Sequence, residues 1–273
     1  MAQAFKFKGC LVIAMTKRKR KPQDEEQALH GPRQKRACFE DVGSKGHGGL
    51  PPYPEGFPRD APKGDELNVM MQMDFHGKVH LVSRANEGNV DWTALEAATV
   101  LGFDTETRPV FQKSAPRNPP ALLQLAVEAE CWIFQLLPPV GVSDATFRRL
   151  QNLLESPTIV KAGVGMLDDY RDLGLFHMPS MSLACGVLDL QEIVKPYGLK
   201  STGLRALAAM FLCRRIAKSQ QTSDWGKAQL SQAQLWYAAV DAWAGWRLCG
   251  ILRGLFDGSE RWAPPRKLTI TNA

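Results

Sequence analysis

An apolar run, Thr99 to Phe103, leads directly into Asp104-Thr105-Glu106. The run reads as a strand, and strand side chains alternate, so the two carboxylates share one face at its end. Two further segments set acids in apolar surroundings. KAGVGMLDDYRDL places Asp169 in the first turn of a helix after the turn Gly163-Val164-Gly165. LWYAAVDAWAG places Tyr237 and Asp241 four residues apart in helical sequence, again on one face. A fold that joins these elements packs carboxylates together, which is unfavourable unless cations neutralise them. Hard divalent ions such as Mg²⁺ or Mn²⁺ prefer all-oxygen ligands of this kind.

The surrounding patterns alternate between strand and helix. Lys78 to Ser83 reads as a strand, and Ala121 to Val127 and Cys131 to Leu136 as two more around a Glu-Ala-Glu turn. Asp144 to Glu155 predicts a helix with Asp144 as N-cap and Phe147, Leu150 and Leu154 on one face. Thr158 to Val164 is a further short strand, and Met166 to Leu173 begins another helix. Gly203 to Leu212 and Gln232 to Phe256 are helical, the latter apolar on more than one side and therefore buried. This order predicts an α/β domain with a mixed central sheet flanked by helices. The domain is expected over residues 69–260. A disordered basic tail and Gly/Pro-rich linker over 1–68 precede it, and a short tail over 261–273 follows.

At 44% hydrophobic and 23% charged, the composition is that of a soluble globular chain. No apolar run approaches the roughly 18 residues needed to span a bilayer. The six cysteines are scattered, with no CxxC pair, and reduced buried thiols are expected. His76 and His80 are four apart but at or beside a predicted strand, and are not read as a metal pair. The nucleophile pattern GxSxG is absent. The net charge of +6 is unevenly spread. Residues 1–36 hold ten Lys/Arg against three acids, and the rest hold 24 against 25. The basic clusters Lys17 to Lys21 and Arg33 to Arg36 point to nuclear import, and the acid-free first 23 residues make a mitochondrial presequence the rival.

Taken in order, several segments resemble the DEDD superfamily of 3′–5′ exonucleases, tyrosine subtype. These are FHGKV, VLGFDTET, PALLQLAVEAECWIFQL, KAGVGMLDDYRDL, GLRALAAMFL and QTSDWGKAQLSQAQLWYAAVDAWAG, spanning about residues 73–256. The likeness is greatest to the exonuclease domain of the Werner syndrome protein, with ribonuclease D more distant. The last segment is the most specific. The resemblance implies a ribonuclease-H-like fold and release of 5′-monophosphates from a 3′ end. It implies two Mg²⁺ or Mn²⁺ ions held by Asp104, Glu106, Asp169 and Asp241, with Tyr237 positioning the attacking water. Two ions can activate that water and stabilise the leaving oxygen. Two features depart from the family pattern. Asp168-Asp169 is a doublet where one aspartate is needed, and counting from the glycines favours Asp169. Cys213 stands where relatives usually have glycine.

Substrate contacts are expected from the loop 108–120, which carries Arg108, Lys113 and Arg117 and no acid. Phe103, Thr105 and Trp225 are candidates to border the terminal base. Only 32 residues follow Asp241, so a stand-alone DNA exonuclease of repair or replication is expected, with any helicase or repair partner separate. An RNA-trimming enzyme is the alternative, because the metal chemistry is common to both polymers. A non-catalytic nucleic-acid-binding scaffold is a third reading.

Overall fold

The computed structural model describes residues 35–39, 52–112, 116–181, 183–256 and 266–272. Its strands are β1 (Lys35–Phe39), β2 (Lys78–Val82), β3 (Val100–Thr107), β4 (Pro120–Ala126), β5 (Glu130–Gln135), β6 (Val160–Gly163), β7 (Leu183–Asp189) and β8 (Arg266–Asn272). Its helices are α1 (Asp65–Asn68), α2 (Trp92–Glu96), α3 (Asp144–Glu155), α4 (Met166–Phe176), α5 (Leu190–Val194), α6 (Leu204–Phe211) and α7 (Gln232–Phe256). The strands form one mixed sheet in the order β1-β8-β7-β6-β3-β4-β5-β2. β3 is central: it runs antiparallel to β4 and parallel to β6. The expected mixed α/β architecture is the one found.

Each side of the sheet has its own core. Leu101 and Phe103 of β3 join Leu123 and Leu125 of β4 beneath α3 and α4, with Phe103 stacked on Tyr170 at 4.8 Å between ring centroids. Leu122 and Ala126 of β4 face the other way, towards Ala238, Ala239 and Ala242 of α7. Small residues let α7 lie close to the sheet. At Gly102 the contact is so close that an added Cβ would sit 2.0 Å from the Ala242 carbonyl oxygen. β3 therefore presents Gly102, Asp104 and Glu106 to α7, and Phe103 and Thr105 to α4.

Several local details differ from expectation. Ser143, not Asp144, caps α3, its hydroxyl accepting the Thr146 N–H at 3.3 Å. β7 and the short helices α1, α2 and α5 carry no strong periodic signal and were not expected. The sheet also reaches beyond residues 69–260. β1 and β8, which fall in the two expected tails, pair antiparallel with each other, and β8 pairs with β7. Lys35 and Arg36 of the second basic cluster thus open a strand. Phe57, also expected in a linker, stacks on Phe211 at 5.4 Å and joins the apolar cluster beneath α5, α6 and the end of α7. The first basic cluster lies outside the described residues. Cys213 adopts φ 52°, a left-handed conformation that suits glycine better.

Candidate active site

The end of β3, the start of α4 and the middle of α7 converge on one pocket of about 650 Å³. Asp104, Glu106 and Asp241 can each offer a carboxylate oxygen such that all three atoms lie within 4.8 Å of one another. Asp241 Oδ1 is buried and has no hydrogen-bond partner among the described residues. An unpaired acceptor among other acids is the chemistry of a cation site, and three oxygen donors fit Mg²⁺ or Mn²⁺.

The electrostatics point the same way. Burial, followed by the charges of Asp241 and Asp169, raises the Asp104 carboxyl well above its ordinary range. Burial and then Asp104 push Glu106 up to about 10. Burial raises Asp241 to about 7, against the opposing pull of Arg205 and a hydrogen bond from Tyr237. Without cations the cluster therefore retains protons at neutral pH, and binding of divalent ions would expel them.

Asp169 stands beside this trio. Thr105 Oγ1 donates to Asp169 Oδ1 at 2.5 Å, so β3 and α4 are tied across the site. Burial raises Asp169 to about 7. Asp168, its neighbour in the doublet, points to solvent and pairs with Arg171 at 2.5 Å. The start of α4 is held by Asp189 at the end of β7. Its two carboxylate oxygens accept the Gly165 and Met166 N–H groups, each at 3.0 Å. Gly165 takes φ 75°, which favours glycine at this turn. Replacing Asp189 with alanine leaves these donors unpaired, and a lost cap of this kind costs about 1–2 kcal/mol. Urea unfolding of Asp189→Ala should show that loss, and its activity should fall because Asp169 is no longer held.

Tyr237 is 8% exposed and packs on Trp225 at 5.7 Å between ring centroids. Its hydroxyl oxygen accepts a hydrogen bond from Arg205 Nη2 at 2.7 Å. Arg205 was not singled out from sequence, where it is one charge inside the helical segment GLRALAAMFL. Its partner lies 32 residues away, so no local pattern marks it. Its Nη1 also donates to Gln221 Oε1 at 3.2 Å, and its charge opposes the acids of the cluster. Lys218 lines the same pocket.

The expected substrate contacts are placed less favourably. Arg108 is paired with Asp224 at 2.9 Å and also donates to the Gly226 carbonyl. Arg117 is paired with Asp172 at 3.3 Å. Lys113 lies outside the described residues. Trp225 is 1% exposed, a buttress behind Tyr237 with no free face for a base. Phe103 is buried against Tyr170 yet borders the pocket, and Thr105 lines it. Among the described residues, Arg205 and Lys218 are the basic side chains that line the pocket.

A family model described as 3′–5′ exonuclease matches residues 82–256. A 3′–5′ exonuclease of Arabidopsis thaliana is 31% identical over 202 residues, covering 68% of this chain and 67% of that protein. The bifunctional 3′–5′ exonuclease/ATP-dependent helicase WRN of Mus musculus is 30% identical over 176 residues, which is 62% of this chain and 12% of that one. Among solved structures, Trypanosoma brucei RNase D in complex with RNA U12 is similar with a TM-score of 0.55 at 20% identity. That match covers 69% of this chain and 65% of that one, and shows the ribonuclease-H-like fold. The family match spans the pocket and every element that builds it, and on that ground the chain belongs to the DEDD-type 3′–5′ exonucleases, hydrolytic enzymes of nucleic-acid ends.

Proposed function

We propose that this chain is a metal-dependent exonuclease of the tyrosine subtype that removes nucleotides from DNA 3′ ends as 5′-monophosphates. The observation that carries the proposal is the cluster of Asp104, Glu106 and Asp241, whose oxygens lie within 4.8 Å of one another, with one buried oxygen unpaired. These three residues would hold one Mg²⁺ or Mn²⁺ ion. Asp104 would be shared with a second ion, and Asp169 would reach that ion directly or through water. When bound, such ions supply an activated water and charge stabilisation on the leaving oxygen. Tyr237 would orient that water, its hydroxyl being held by the hydrogen bond from Arg205. Arg205 and Lys218 supply positive charge for the phosphate. Thr105 holds Asp169 in place.

The DNA assignment rests on the Werner-type segments of the sequence. A separate helicase or repair protein is the proposed partner, since the mouse relative couples its exonuclease to a helicase. The nucleus is the proposed location, on the basic cluster Lys17 to Lys21, with the mitochondrion as the alternative. One observation favours RNA instead. Gln191 Nε2 donates to Thr202 Oγ1 at 2.7 Å on the pocket wall, a polar pair that a 2′-hydroxyl could join. Matched 5′-labelled DNA and RNA strands, digested side by side in Mg²⁺, separate these readings. The DNA should shorten from its 3′ end at least about tenfold faster, a difference worth about 1.4 kcal/mol. Faster loss of the RNA would replace the substrate, and no loss of either would favour a binding scaffold.

A further inference from the structure

Gln124 has no exposed surface, and neither its Nε2 nor its Oε1 finds a hydrogen-bond partner among the described residues. A buried amide with both ends unpaired is costly, and a leucine of similar size would fill the same space without that penalty. Its place in the sheet gives the amide a use. β3 and β4 pair so that Gln124 lies directly opposite Asp104, on the face covered by α7. Side chains so paired have Cβ atoms about 4.5–5.5 Å apart, within reach of a glutamine amide. The neighbours in the other directions are apolar. Ile133 lies opposite on β5, and Leu122 and Ala126 flank Gln124 along β4.

We propose that Gln124 is a positioning residue for the metal site: its Nε2–H, unpaired among the described residues, would donate to an Asp104 carboxylate oxygen when divalent ions are bound. The proposal rests on the metal-dependent reading above. Carboxylates that ligate metals generally need such an outer partner to fix their orientation, and losing it weakens metal binding or activity about 10–100-fold. The Asp104 carboxylate accepts a hydrogen bond from the Thr105 backbone, and Gln124 is the polar side chain that pairs with it across the strands.

Gln124→Leu provides the test, with Gln124→Met as a second variant of similar length in case the branched side chain disturbs folding. Melting of the full chain is followed in EDTA and against rising Mn²⁺, and kcat and KM are measured on a 5′-labelled DNA strand. In EDTA both variants should melt at or above the wild-type temperature, because an unpaired buried amide is gone. The Mn²⁺ concentration that gives half of the thermal shift should rise, and kcat should fall, each by about tenfold or more, with KM unchanged. A purely structural role predicts the reverse pattern, a lower melting temperature in EDTA with a normal Mn²⁺ response, and that result overturns the proposal. So does a variant with wild-type kcat. A wild-type protein with no Mn²⁺ response would overturn the metal reading itself, which separates the two failures.

Discussion

Asp241→Asn is expected to lower cleavage by about a thousandfold or more, equivalent to at least about 4 kcal/mol of transition-state stabilisation, while making the metal-free protein more stable. Asparagine fills the same volume and can still accept the Tyr237 hydrogen bond, but it cannot supply the charge that a divalent ion needs. The stability gain follows from linkage. Burial holds the Asp241 carboxyl near a pKa of about 7, whereas in the unfolded chain it titrates near the ordinary aspartate value. Between those values the unfolded chain has given up its proton and the folded chain has kept it. Wild-type stability in EDTA therefore falls as pH rises from about 4 to about 7. The asparagine variant lacks that loss. Its advantage should be absent near pH 4 and reach about 1–3 kcal/mol by pH 8, a range set below the full linkage value because the buried acids share protons. Mn²⁺ should raise the melting temperature of the wild type and have little effect on the variant, because only the wild-type folded state binds the ion tightly. A variant less stable than wild type in EDTA at pH 8 would mean that the cluster is not under charge strain.

Gly102→Val should damage both fold and activity, although residue 102 bears no functional group. Its Cβ would meet the Ala242 carbonyl oxygen at 2.0 Å and Trp246 Cβ at 3.0 Å. A backbone carbonyl in the middle of a helix cannot swing aside, so α7 must move away from β3. That shift carries Asp241, the residue before Ala242, away from Asp104 and Glu106. Overpacking on this scale costs about 3 kcal/mol or more. Urea unfolding should show the loss, and the fraction that stays folded should cleave poorly. Gly250→Ala is the control on the same helix. Nothing lies within 4 Å of the added Cβ there, and alanine in a helix gains up to about 1 kcal/mol over glycine. A Gly102→Val protein with wild-type stability would refute the close packing of α7 on β3.

The parts of this structure that were legible in sequence are those whose signal is local. The apolar run into Asp104 and Glu106 marks β3 because period-two alternation and burial act over a few residues. α7 is legible because 25 residues of helical, apolar sequence have few alternatives. Asp168 and Asp169 differ by one residue, yet helical geometry turns them about 100° apart, sending one to solvent and the other to the site. What escaped the sequence depends on distant partners. β1 and β8 are short segments that become strands by pairing across the whole length of the chain. β7 joins the sheet through β6 and β8, and nothing in its own residues outweighs the loop signals around it. Arg205 and Gln124 are single polar residues inside apolar segments. Each gains meaning from a residue that the fold brings near, Tyr237 for one and Asp104 for the other. The arginines of the loop after β3 also have partners that no local pattern marks. They looked available in sequence, but Asp224 and Asp172 lie beside them in the fold.

The most direct test of the central claim is digestion of a 5′-labelled DNA duplex with a recessed 3′ end in Mg²⁺ or Mn²⁺, with the wild type beside Asp241→Asn. A ladder that shortens from the 3′ end, disappears in EDTA and is absent with the variant is the predicted result. A ladder that persists in EDTA, or one that the folded Asp241→Asn protein produces at the wild-type rate, would contradict a metal site built on Asp104, Glu106 and Asp241.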